Sequence, residues 1–76
     1  MRRRAADPVA SPLDNLTRRE EDILNLVATG KSNREVGVVL ALQEKTVKHY
    51  MTLILQKLHV RIRVEAAVIA RHHERP

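Results

Sequence analysis

Five residues between Gln43 and Leu58 carry most of the chemistry in this 76-residue chain: Lys45, Lys48, His49, Thr52 and Gln56. At 3.6 residues per turn they share one face of a helix, with two cations beside three hydrogen-bonding groups. A face of that kind suits an anionic, donor- and acceptor-rich surface such as phosphates and base edges. On the other side, Val47, Tyr50, Met51, Ile54 and Leu58 recur at i, i+3, i+4, i+7 and i+11, which predicts a buried stripe. The segment has neither Gly nor Pro, and roughly fifteen residues make a helix about 22 Å long. One side belongs to a core, and the other is free to read nucleic acid.

Other chemistries find little support. The chain has no cysteine, so no disulfide framework and no thiolate metal site. His72 and His73 are adjacent and point about 100° apart on a helix, which is poor geometry for one ion. His49 and His59 have no carboxylate at ligand spacing, so neither a metal nor a cofactor is expected. No Ser–His–acid set and no Gly-rich phosphate loop stands out, and Glu20, Glu21 and Glu35 are explained as helix-start residues, so an enzyme is not expected. No apolar run approaches the ~20 residues of a membrane span. Arg2 to Arg4 are not followed by a signal-like apolar stretch, so a cytoplasmic location is expected.

The elements that must position the basic face are small. A chain of this length buries only about 60% of its unfolded surface, so its helices need good ends. Hydrophobic residues make up 43% but include a single aromatic, Tyr50, which predicts an aliphatic, all-α core. The net charge of +5 is unevenly placed: residues 1–38 hold seven cations and six anions, residues 39–76 seven and three. The excess lies in the half that contains the basic face, as for a binder of nucleic acid or another anionic surface.

Residues 1–15, with three arginines and two prolines, read as a flexible arm, and residues 16–76 as one domain. Thr17 to Glu20 is a capping box opening a first helix over about 18–29, with Ile23, Leu24, Val27 and Ala28 inward and Gly30 as terminator. Ser32 to Glu35 is a second box, opening a short helix over 33–40 with Val36, Val39 and Leu40 as its apolar face. Gly37 inside that helix points to close approach by another helix. Ala41, Leu42 and Gln43 turn the chain into the basic helix, 44–58. A fourth helix, 63–73, has two apolar faces: Val64, Ala67, Val68 and Arg71, and Ala66, Ile69, Ala70 and His73. One would pack on the first helix and the other on a second subunit. Two short-linked helices, the second amphipathic and basic, fit helix-turn-helix geometry.

From Leu16 to Ala67 the chain resembles the LuxR/GerE-type helix-turn-helix domain, above all that of NarL/FixJ-class response regulators of two-component systems. LTRREEDIL (16–24), ATGKSNREV (28–36), EKTVK (44–48), ILQKL (54–58) and RVEAA (63–67) carry the likeness in order and spacing. The resemblance implies a sequence-specific double-stranded DNA binder regulating bacterial transcription, with the third of four helices in the major groove. It places Lys48, His49 and Thr52 toward bases and Lys45, Thr46 and Lys57 near phosphate, with Lys31, Ser32 and Asn33 adding backbone contacts. It also implies a homodimer on DNA through Val64, Ala67, Val68 and Arg71, an upstream receiver or sensor domain, and RNA polymerase as a further partner.

The chain departs from the family pattern at several points. Gln43 replaces a Ser/Thr cap, a change worth about 1 kcal/mol. Tyr50 replaces a common His, with its hydroxyl expected to emerge toward phosphate. Leu53 stands where small polar or basic residues are usual, and His59 and Ile62 replace a turn Gly and a small cap. These departures keep open a protein-interaction module that dimerises through its fourth helix and has lost DNA binding. A sigma region-four domain is the other alternative, opposed by the RVEAA block. A membrane-surface helix would need an aromatic-rich face that this one lacks.

Overall fold

Residues 11–73 are described by the structure, a computed structural model, and they form four helices with no strand among them. These are α1 (Arg18–Ala28), α2 (Asn33–Leu40), α3 (Glu44–Leu58) and α4 (Arg63–His72), preceded by a single 3₁₀ turn, Pro12–Asn15. The all-α expectation holds, with boundaries within one residue. The arginines expected in an N-terminal arm lie outside the described residues. Among the described residues of the arm, 11–15, Ser11 caps the 3₁₀ turn and Leu13 is buried in the core, as is Leu16 just after it. Two leucines three residues apart reach the same apolar surface, which the prolines around them obscured.

α1 begins where the sequence places it. The Glu20 amide donates to Thr17 Oγ1 (3.1 Å) and the Thr17 amide to Glu20 Oε1 (2.8 Å). It ends at Thr29, with Gly30 at φ +94°. The Gly30 amide donates to the Val27 carbonyl and the Lys31 amide to that of Leu26, which satisfies the last turn. α2 opens in the same way, with Glu35 donating from its amide to Ser32 Oγ (3.1 Å) and accepting from the Ser32 amide (2.8 Å).

α2 packs on α3 across a three-residue turn, and here two expectations are corrected. Val39 is exposed, because the inner side of α2 runs through Val36, Gly37 and Leu40. What approaches Gly37 is the Leu42 carbonyl of the turn rather than another helix; a Cβ there would overlap it. The turn closes with the Leu42 amide on the Gly37 carbonyl (2.8 Å) and with Ala41 left-handed at φ 59°.

The core joins Ile23, Leu24 and Val27 of α1, Val36 of α2, Val47, Met51, Ile54 and Leu58 of α3, and Ala66 and Ala70 of α4. The predicted inward stripe of α3 is therefore correct, with Tyr50 half-buried at its edge. On α4, Ala66 and Ala70 turn inward while Val64 (66% exposed) and Val68 (44%) face out. Both apolar faces of that helix are real, and one of them is uncovered.

Candidate nucleic-acid interface

α3 presents the expected residues outward. Lys45, Lys48, His49, Thr52 and Gln56 are exposed, and Thr46 is half-buried. Gln43 precedes the helix in extended backbone and puts no side-chain oxygen on its first-turn amides. Those N–H groups add to the positive end of the helix dipole, beside Lys45. The Thr52 hydroxyl donates to the Lys48 carbonyl one turn back (3.2 Å).

Lys57 was expected near phosphate, but its ammonium is engaged within the domain. It donates to both carboxylate oxygens of Glu20, at 2.8 and 3.0 Å. Glu20 is 3% exposed and the Lys57 side chain 36%, so the pair sits at the edge of the core. Burial raises the pKa of the Glu20 carboxyl, but hydrogen bonds from Lys57 and the Thr17 amide outweigh this and hold it below the ordinary carboxylate value. One carboxylate thus serves both the start of α1 and the last turn of α3.

At the start of α2, Ser32 is exposed, its oxygen accepting the capping bond from the Glu35 amide. The Ser32 amide, then its hydroxyl and the nearby Lys31 charge, lower the pKa of Glu35. Asn33, expected to add a backbone contact, accepts at Oδ1 from one guanidinium nitrogen of Arg63 of α4, whose other nitrogen donates to the Lys31 carbonyl. The clasp ties the first residue of α4 to the loop that starts α2. Arg34, exposed beside Ser32, is a further cation on this edge that the sequence reading did not single out.

The four residues expected to meet a second subunit do lie together, on α4. Val64, Ala67, Val68 and Arg71 border a groove of about 260 Å³ with Val27 and Gly30. Arg71 is partly committed, its Nε donating to the Ala28 carbonyl at the end of α1 (3.3 Å). No group of three or more metal-ligating side chains occurs among the described residues, and no described helix is long and apolar enough to cross a membrane.

Residues 14–70 match the family described as bacterial regulatory proteins, luxR family. The chain belongs to that family. Transcriptional regulatory protein LiaR of Bacillus subtilis is 51% identical over 65 residues, 84% of this chain and 31% of the relative. Transcriptional regulatory protein DegU of Brevibacillus brevis is 49% identical over 57 residues, 75% of this chain and 24% of the relative. The DNA-binding transcriptional activator DevR/DosR of Mycobacterium tuberculosis is 39% identical over 67 residues, 88% of this chain and 31% of the relative. The chain therefore spans between about a quarter and a third of these curated relatives.

Proposed function

We propose that this LuxR-family domain binds double-stranded DNA for a transcriptional regulator, with α3 in the major groove. The observation that carries the reading is the division of α3: Val47, Met51, Ile54 and Leu58 are buried while Lys45, Lys48, His49 and Thr52 are exposed. A three-residue turn fixes α2 against it, so that α2 lies across the phosphates as α3 enters the groove. Lys48 and His49 then face bases, and Lys45, Thr46 and the uncapped first amides of α3 lie toward phosphate, joined by Ser32. Lys57 acts through Glu20, setting the angle of α3 rather than neutralising a phosphate.

Val64, Ala67 and Val68 supply the apolar patch for a homodimer on paired half-sites, and a receiver or sensor domain and RNA polymerase belong to the same proposal. The test is fluorescence anisotropy against a random duplex pool over a range of salt, with sequencing of the bound fraction. Enrichment of two half-sites with a steep loss of affinity in salt is expected. Lys48→Ala should weaken binding, and should lower the salt slope by about one if its contact is a phosphate rather than a base. The uncovered valines favour a second reading, a dimerisation module without DNA binding. Self-association with no binding at low salt would establish that reading instead.

A further inference from the structure

We propose that Thr52 and Leu53 recognise the C5-methyl groups of thymine, so that part of the base readout of α3 is apolar. The inference rests on α3 being the major-groove helix.

Leu53 is half-buried, yet it is absent from the apolar residues that pack on the core, unlike the half-buried Leu26, Leu40, Leu42 and Leu55. It lies one turn after His49 and next to Thr52, flanking the outward face. A half-buried leucine that is not among those packed on the core leaves part of its isobutyl group open to a ligand. Thr52 is exposed, and its hydroxyl hydrogen is used on the Lys48 carbonyl (3.2 Å). What remains to the groove is the Cγ2 methyl and an acceptor oxygen. While that bond holds, the hydroxyl does not donate to guanine N7 or O6, or to thymine O4, the acceptors that a free threonine would seek.

These two residues thus place an apolar step in the middle of a face whose other members are Lys45, Lys48, His49 and Gln56. Those cations favour a polyanion over an apolar protein pocket as the occupant. Among the four bases only thymine offers a methyl group in the major groove.

The test starts from a duplex enriched by the wild-type chain. Each thymine is replaced in turn by deoxyuracil, which removes only the methyl, and affinity is measured for the wild type, Leu53→Ala and Thr52→Ser. Circular dichroism checks the fold of each variant; Leu53 is outside the core, and Thr52→Ser keeps the hydroxyl while dropping its methyl. Loss of one buried methyl contact should weaken wild-type binding about fourfold at one or two positions per half-site. The penalty at one position should vanish in Leu53→Ala, and at its neighbour in Thr52→Ser. A wild type that enriches a site yet is indifferent to every replacement overturns the inference and leaves DNA binding standing. So does a penalty that persists unchanged in both variants, or an enriched site without thymine. Failure of the wild type to bind any duplex overturns this inference together with the DNA-binding reading.

Discussion

α1 and α3 meet in the same core, yet they are secured in opposite ways. α1 begins with a reciprocal capping box and ends on a left-handed glycine, so its own sequence satisfies both of its ends. α3 begins at Gln43, whose side chain caps nothing, and ends at His59, a non-glycine residue at φ 59°. Its hold comes from elsewhere: four buried apolar side chains and the reach of Lys57 to Glu20. The helix that faces outward with its cations is thus oriented by the body of the domain, and its first amides are left without a side-chain cap. Local stability and readiness for a ligand trade against each other at those amides.

The comparison breaks hardest at the packing of α3. Ile54→Ala empties a fully buried site and should cost about 3 kcal/mol in denaturant unfolding. Thr17→Ala, which removes the cap of α1, should cost only about 1 kcal/mol. Equal losses would mean that α3 depends on its packing no more than α1 depends on its cap.

Next comes Lys57→Met, which leaves the Glu20 carboxylate buried with its bond from the Thr17 amide but without its cation. A loss of about 2 kcal/mol at neutral pH is expected, below the range for fully buried pairs because Lys57 is 36% exposed. The Glu20 pKa is lowered in the folded protein, so the pair's contribution is present above its ordinary value of 4.5 and is lost as pH falls through the lowered one. The gap between wild type and Lys57→Met should therefore narrow in acid below pH 4.5. A gap that stays constant to pH 2 would show that Lys57 acts through the packing of its stem and not through Glu20.

What was legible in the sequence follows the same division. Thr17–Glu20 and Ser32–Glu35 are capping signals complete within four residues, and the periodicity of α3 announces its buried stripe directly. Gln43 and His59 were legible as missing signals. The partners of Lys57 and Arg63 were not, because 37 and 30 residues separate them from Glu20 and Asn33, and only the packing of α1, α2, α3 and α4 brings them together. Ala41 gave no sign of its left-handed backbone, since alanine carries no preference for it. Val39 was misplaced because a glycine next to the turn let the Leu42 carbonyl in and fixed which side of α2 is inner. The outward face of α3 was named almost completely, whereas the network that aims it was not.

The exit of α3 offers a smaller test. The His59 amide donates to the Gln56 carbonyl and that of Val60 to the Leu55 carbonyl, the same pattern that Gly30 and Lys31 form after α1. His59→Gly keeps those bonds and relieves the side chain of a left-handed backbone, and should raise stability by about 1 kcal/mol. Gly30→Ala should lower it by a similar amount: its added Cβ meets nothing within 4 Å, so only the backbone at φ +94° resists it. If His59→Gly destabilises, the imidazole has a packing role that outweighs the backbone cost.

The smallest effect falls at the other end, and it separates structure from function most cleanly. Gln43→Ser gives α3 the cap that α1 already has, and should stabilise the domain by about 0.5–1 kcal/mol. The serine oxygen would then occupy one of the first-turn amides of α3. If those amides hold a phosphate, a more stable protein should bind duplex DNA less tightly, with the loss seen on every sequence because phosphate contacts carry no base information. A variant that gains stability and keeps full affinity would show that the amides take no part in binding. The missing cap would then be a tolerated weakness, one that the packing of α3 on the core is strong enough to absorb.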